Sequence, residues 1–313
     1  MKAIITTKYG KPKSMCLSSI AQPKISASEI LVKIHACSVN PVDWKIRSGK
    51  LKIKTGPKPP KILGSDFAGE IIEVGKKISQ YKKDQKVWGK VDSFKGGAYA
   101  EFIKVKPQNI THMPTNLSFQ QAASIPNTGL TAYQALINKA NIKKDMKVLI
   151  NGASGGVGIM ALQIAKAQGC HVTAVCSGKN TELVKSLGAD VVIDYTKESI
   201  FKRGYYHIFF DCVSNQSLFK ARKIIIKGGT YIRTTPSLET TLGFIPLKLL
   251  LGKSSKHIMV QPNHHDLKQL KILVESKKLV PIIDQTLPLE QVHQAHQLSE
   301  SGRVAGKIVM TMI

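Results

Sequence analysis

The chain has 313 residues, 42% of them hydrophobic, and carries a formal net charge of +26 at neutral pH. Its length accommodates two domains of ordinary size, and its composition excludes the disordered and collagen-like classes. No apolar run approaches the roughly 18 residues that cross a bilayer, and the N-terminal seven residues turn polar too early for a signal peptide, so a cytosolic location is expected.

The five cysteines are odd in number and never spaced Cys-x-x-Cys, which argues against a disulfide framework and a four-cysteine zinc site. They are expected as buried free thiols, with a reactive Cys212 as the alternative. The lysines run through the whole chain. Their tightest cluster is Lys45, Arg47, Lys50, Lys52, Lys54, Lys58 and Lys61, with no acid among them. No helix-turn-helix, zinc finger or aromatic stacking platform accompanies them, so nucleic-acid binding is expected only as a non-specific consequence of charge.

Up to about residue 120 the chain reads as short strands with Gly and Pro between them: 30–37, 70–75, 86–89 and 99–105. Residues 50–54 alternate as a further strand with a solvated lysine face. Ser118-Phe119-Gln120-Gln121 has the form of a capping box and opens a helix. A second helix is expected over 131–140.

Lys147 to Asn151 is then an apolar strand running into Gly152-Ala153-Ser154-Gly155-Gly156-Val157-Gly158, with helical periodicity from Ile159 to Gln168. A strand, a glycine turn and a helix N-terminus form a cradle for a pyrophosphate, because unpaired N–H groups and the positive end of the helix dipole meet there. From this point strands (171–176, 189–194, 208–212, 230–233, 257–260) alternate with helices (181–187, 218–226), the pattern of a doubly wound parallel sheet. Helices over 266–276 and 289–299 follow, and Lys307 to Met310 forms a last strand that can return to the first domain.

These residues resemble the zinc-free, quinone-oxidoreductase-like branch of the medium-chain dehydrogenase/reductase superfamily. The resemblance rests on Ala36-Cys37-Ser38-Val39-Asn40-Pro41-Val42-Asp43, Ile62-Leu63-Gly64-Ser65-Asp66-Phe67-Ala68-Gly69, Gly129-Leu130-Thr131-Ala132-Tyr133, the glycine turn, and Ser301-Gly302-Arg303-Val304-Ala305-Gly306-Lys307-Ile308-Val309, in that order along the whole chain. It implies an α/β protein: a GroES-like, β-barrel-type catalytic domain from residues 1–121 and 263–313, and a Rossmann NADP-binding domain from 122–262. Substrate is expected in the cleft between them.

Zinc-dependent relatives carry Cys, His and Cys where this chain has Asn40, Ser65 and the Asn127/Thr128 pair, which are not soft ligands for zinc. The histidines at 264, 265, 293 and 296 are expected on polar, solvated segments. No metal is therefore expected, and alcohol dehydrogenation by a zinc alcohol dehydrogenase is the least favoured reading.

NAD-specific folds place Asp or Glu at the end of the second strand to accept from the ribose 2′-OH. Here Cys176-Ser177-Gly178-Lys179-Asn180 follows, so Ser177 and Lys179 offer a donor and a charge to a 2′-phosphate, with Tyr195 beside it by resemblance. NADPH is expected over NADH. The plainer alternatives are a surface lysine and a packing tyrosine. The cofactor-binding set is Thr131, Ser154, Gly155, Gly156, Val157, Gly158, Ser177, Lys179, Tyr195, Cys212 and Lys307. Cys212-Val213 and Thr234-Thr235 end strands whose loops reach the ribose and nicotinamide.

Without a metal, hydride transfer suits a quinone or an α,β-unsaturated carbonyl, whose oxygen gains negative charge. Asn40 is the candidate orienting amide, or else a turn former before Pro41; Asp43 is expected as a cap. Relatives with a tyrosine near 50–52 contrast with Lys50-Leu51-Lys52 here, so no general acid is assigned. The alternative function is a nucleotide-dependent binding protein of crystallin-like or RNA-binding type without turnover. A homodimer is expected, with the apolar stretch Leu242 to Leu251 and an edge strand near Met259 suited to the interface.

Overall fold

The computed structural model describes residues 1–202, 204–237 and 252–312. The expected interface stretch Leu242 to Leu251 lies outside the described residues. Strands β1 (Lys2–Thr6) and β2 (Met15–Ser19) pair antiparallel. They are followed by β3 (Ile30–Val39), helices α1 (Pro41–Arg47) and α2 (Lys52–Thr55), and β4 (Asp66–Val74), β5 (Lys86–Lys90), β6 (Phe102–Val105) and β7 (Ile110–His112). Helices α3 (Phe119–Ala123) and α4 (Pro126–Tyr133) come next, and α4 continues as a π-helix over Gln134–Lys139. The expected strand at 50–54 is thus a helical turn. Its lysine alternation is satisfied by exposure of Lys50, Lys52 and Lys54 around a short helical turn that pairs with no strand.

The remaining strands are β8 (Lys147–Asn151), β9 (His171–Cys176), β10 (Val191–Asp194), β11 (Tyr206–Asp211), β12 (Ile225–Arg233), β13 (Ser254–His257), β14 (Ile283–Pro288) and β15 (Lys307–Thr311). Between them lie α5 (Gly156–Ala167), α6 (Thr181–Ser186), α7 (Leu218–Ala221) and helices over His264–Glu275 and Val292–Ser301. The helix expected over 218–226 stops at Ala221, and β12 pairs with β11 at Ile225 and again from Thr230 to Arg233. The register shifts between these points, where Gly228 takes a left-handed φ of +81°, so the glycines form a bulge inside the strand.

Two compact units result. One comprises Met1–Asn127, Gln261–Glu275 and Pro281–Ile313; the other comprises Thr128–Val260 and Ser276–Val280. The short 276–280 segment joins the second unit because the Gln163 side chain both accepts from the Val280 N–H (2.8 Å) and donates to its carbonyl (3.0 Å).

The first unit is built on a sheet ordered β14-β15-β3-β4-β5-β7, with β6 also paired to β3. Its core includes Ile4, Ile34, Phe67, Tyr99, Ile103 and Met310. Strand β15 comes from the chain end and inserts between β14 and β3, as the sequence suggests. The second unit is a wholly parallel sheet ordered β10-β9-β8-β11-β12-β13. Val148, Leu149 and Ile150 of β8 are all fully buried, which is why that strand reads as a continuous apolar run. The order reverses between β8 and β11, so loops leaving their C-terminal ends diverge there and open the crevice where such sheets bind ligands. Among the described residues no helix is long and apolar enough to cross a membrane.

Candidate functional site

In the second unit, the turn after β8 places three glycines under different constraints. Gly152 has φ +77°, a left-handed conformation, and a Cβ there would meet Val213 Cγ2 at 2.5 Å. A Cβ on Gly158 would lie 2.1 Å from the Gly152 carbonyl oxygen, so the helix can approach the strand only without a side chain. Gly155 differs: a Cβ would find only the Gly152 oxygen, at 3.5 Å, and its surroundings are otherwise open. Gly155 is the N-cap of α5 and no side chain caps it. Gly156 and Val157 are half-exposed at the helix start. The first turn of α5 thus offers N–H donors and the positive dipole end to an open space, which fits a nucleotide pyrophosphate.

Ser154 is buried, and its Oγ accepts from Asn180 Nδ2 (2.9 Å), which also reaches Ser177 Oγ (3.4 Å). The glycine turn and the end of β9 are therefore tied together. Lys179 is exposed, and Tyr195 is 59% exposed with its backbone N–H bonded to the Cys176 carbonyl (3.1 Å). Sequence reasoning missed Asp194, the last residue of β10. A Cβ on Gly178 would meet Asp194 Oδ2 at 2.6 Å, so glycine there makes room for this carboxylate. Hydrogen bonds from the Thr196 hydroxyl and N–H hold Asp194 below the usual carboxylate range. An acid does stand beside the β9 end, from the neighbouring strand; only the strand pairing reveals it.

Asp211, at the end of β11, is fully buried and organises the loop that follows. Its Oδ1 accepts from Asn151 Nδ2 (2.8 Å) and the Ser214 N–H (2.8 Å), and its Oδ2 accepts from the Gln216 N–H (2.9 Å) and the Tyr231 hydroxyl (3.0 Å). Charged hydrogen bonds of this kind are the strong ones, and here they fix residues 212–216 beside the glycine turn. Burial, then the Asp211 charge, pushes the Cys212 thiol well up, which disfavours the reactive thiolate considered from sequence. Cys16 is exposed rather than buried, and Cys37, Cys170 and Cys176 are buried; all five thiols are free. Thr131, on α4, is buried at 6% exposure.

The first unit contains a buried polar cluster. Asn40 is fully buried: its Oδ1 accepts from Lys307 Nζ (2.6 Å) and Asn127 Nδ2 (3.0 Å), and its Nδ2 donates to Asp66 Oδ2 (2.9 Å). Lys307 Nζ also donates to the Val39 carbonyl (2.8 Å) and lies 3.9 Å from Asp66 Oδ2. Burial lowers the Lys307 pKa, and Asp66 opposes that shift most. The Lys307 ammonium thus makes both of these hydrogen bonds inside the first unit. Asn40 is a node of this cluster with one Nδ2–H left, and it is also the N-cap residue of α1. Asp43 sits in the first turn of α1, where its Oδ2 accepts from the Asn40 N–H (2.8 Å), the capping role expected for it.

The zinc positions do not fit a metal. Asn40 and Asn127 bond to each other, and the Lys307 ammonium already supplies the cation beside Asp66. His296, expected on a solvated segment, is fully buried, because its helix turns that face onto Arg47 and Tyr99.

Comparison with known proteins adds the following. Residues 26–115 match the family described as alcohol dehydrogenase GroES-like domain, and residues 187–310 match zinc-binding dehydrogenase. The mouse protein named NAD(P)H oxidoreductase RTN4IP1, mitochondrial, is 33% identical over 100% of this chain and 89% of its own. A tomato 2-methylene-furan-3-one reductase is 35% identical over 99% of this chain and 79% of its own. The solved quinone oxidoreductase from Coxiella burnetii superposes with a TM-score of 0.90 at 32% identity, covering 99% of both chains.

Proposed function

The chain belongs to the quinone-oxidoreductase-like branch of the medium-chain dehydrogenase/reductase superfamily and is an oxidoreductase, and on that premise we propose that it uses NADPH, without zinc, to reduce quinones or α,β-unsaturated carbonyls. The observation that carries the reading is the end of β9, where Ser177 and exposed Lys179 stand in the place of the acid that NAD-specific folds carry. Relatives named for NAD(P)H, for a quinone and for an enone support the substrate class.

Gly155, Gly156, Val157 and Gly158 would hold the pyrophosphate, and Ser177, Lys179 and Tyr195 the 2′-phosphate, with Ser154 tied to the same loop by Asn180. Thr131 and Cys212 are retained as further contacts. When bound, the reduced nicotinamide supplies a hydride to an electrophilic carbon. Asp211 holds the 212–216 loop rigid, so the groups that orient the cofactor are set before it binds. Asp43 is committed to the Asn40 N–H and the Tyr99 hydroxyl, so we assign the final proton to water. Zinc independence is supported by the Asn40–Lys307–Asp66 cluster, which leaves no ligand set at those positions.

The test is a fluorescence titration of NADPH and NADH followed by turnover on a panel of enals, enones and quinones. NADPH is expected to bind tighter, and Lys179→Ala is expected to weaken it roughly tenfold, the worth of one charge-assisted hydrogen bond, while NADH stays nearly unchanged. Tighter NADH binding would overturn the assignment and point to Asp194 as the ribose acceptor.

A further inference from the structure

The most basic stretch of the chain is buried at Arg47 and exposed over Lys52 to Lys54. From Trp44 to Lys61 it carries Lys45, Arg47, Lys50, Lys52, Lys54, Lys58 and Lys61 without an acid. The fold ties down the exposed turn, which forms the tip of this stretch. The Tyr9 hydroxyl bonds to the Thr55 hydroxyl (2.7 Å) and to the Gly56 carbonyl (2.7 Å), pinning the far side of the turn to the N-terminal segment. At the apex stands Ile53, fully exposed at 103% and the most exposed large apolar side chain among the described residues.

The lysines around Ile53 lie over aromatic faces from three separate segments. Lys50 Nζ is 4.9 Å from the Trp44 ring centre and Lys45 Nζ is 5.6 Å from it; Lys52 Nζ is 5.0 Å from Tyr9, and Lys54 Nζ is 5.2 Å from Phe94. Burial, and then the neighbouring Lys50 charge, lowers the Lys45 pKa, as crowded cations require. Two acids stand near and are engaged: Glu300 pairs with Arg47, and Asp92 Oδ1 accepts from the Phe94 N–H (2.9 Å).

An isoleucine held out in water and ringed by cations matches the pattern of a side chain that enters a headgroup layer, with lysines at phosphate depth. The same rings are poor platforms for nucleobases, because ammonium groups cover them. We propose that this tip docks the protein on an anionic lipid surface, with Ile53 inserted and Lys50, Lys52, Lys54 and Lys58 on the phosphates. This goes beyond the proposed reaction and stands independently of it. Charge spread over the whole molecule would attract any polyanion, but it would not depend on Ile53.

The experiment is co-sedimentation of the full chain with vesicles of phosphatidylcholine alone or mixed with phosphatidylglycerol, at physiological salt. Binding is expected to the mixed vesicles only. Ile53→Ser is expected to weaken it about tenfold, from the loss of one buried aliphatic side chain. K50Q/K52Q/K54Q is expected to weaken it about a hundredfold, at roughly fivefold per lysine near an anionic surface. All four side chains are exposed, so unfolding midpoints should match the parent and exclude misfolding. K76Q/K77Q/K82Q makes the same charge change on exposed lysines elsewhere in this unit and should bind like the parent. The proposal is overturned if Ile53→Ser binds like the parent, if the remote triple variant loses as much as the local one, or if poly(U) RNA competes fully and binds the Ile53→Ser protein undiminished. None of these readouts uses turnover, so failure here leaves the proposed reaction standing, and the reverse holds.

Discussion

Asp43, Tyr99, His296 and Arg47 form one hydrogen-bonded chain inside the first unit, and its proton positions follow from the donors. Arg47 Nε can only donate, so His296 Nδ1 accepts (3.3 Å); His296 then carries its proton on Nε2 and donates to the Tyr99 oxygen (3.3 Å), whose hydroxyl donates to Asp43 Oδ2 (2.9 Å). Burial, then Arg47, pushes His296 down to about 3, and burial pushes Asp43 up to about 6. The two act oppositely on stability. His296 is held neutral, so its contribution is present above an unfolded pKa of about 6.5 and is lost as pH falls towards its folded value. Asp43 holds its proton more tightly when folded, so it adds stability as pH falls from about 6 to about 4 and costs stability above. Asp43→Asn keeps the acceptor oxygen and removes the titration. Its stability relative to the parent is therefore expected to improve by up to about 3 kcal/mol between pH 4 and pH 7 in urea unfolding, and a constant difference would refute the raised pKa. None of this was legible in the sequence. Tyr99 sits in a strand-like segment and His296 in a polar helix, and they meet across a sequence separation of 197 residues.

At the scale of elements, the junction of β8, the glycine turn and α5 was legible because every constraint on it is local: an apolar run, left-handed turn positions and helical periodicity within 22 residues of each other. The structure separates the roles of its glycines, and the separation is testable. Gly158→Ala forces a Cβ against backbone and is expected to destabilise by about 1–3 kcal/mol in thermal unfolding. Gly155→Ala, in open space at φ −81°, is expected to keep the parent stability but to weaken NADPH by about tenfold, because its methyl occupies the cradle. Equal loss of stability in both variants would contradict that division. Two elements were misread for identifiable reasons. Residues 50–54 alternate as a strand does, yet find no edge to pair with, and a lysine face is equally well solvated on a helical turn. Residues 222–226 were read as the end of a helix, whereas β12 already pairs with β11 at Ile225 and resumes regular pairing at Thr230 after a glycine bulge, where the expected strand begins.

For the whole molecule, the chain termini close the first unit. Strand β15 supplies the backbone between β14 and β3 and also delivers Lys307 to Asn40 and Asp66. Both tryptophans, Trp44 and Trp88, lie in this unit, so their emission reports on it alone. Truncation after Gly302 is expected to unfold the first unit, seen as red-shifted tryptophan fluorescence. The point variant Lys307→Met, which removes the ammonium 3.9 Å from the buried Asp66 carboxylate, is expected to cost about 3–5 kcal/mol. Retention of native emission by the truncated chain would show that β15 is dispensable. The sequence by itself determined the two fold types, the return of the last strand, the glycine turn between β8 and α5 and the absence of an acid at the end of β9, because each is written in neighbouring residues or in a string of ordered motifs. The tertiary structure alone decided that Lys307 and Asn40 are partners in a buried cluster, that Asp194 stands beside Gly178, that His296 is a neutral buried relay member, and that Ile53 stands exposed among lysines. Those facts depend on which residues pairing and burial bring together, and burial sets both the charge state of a side chain and the neighbour that must satisfy it.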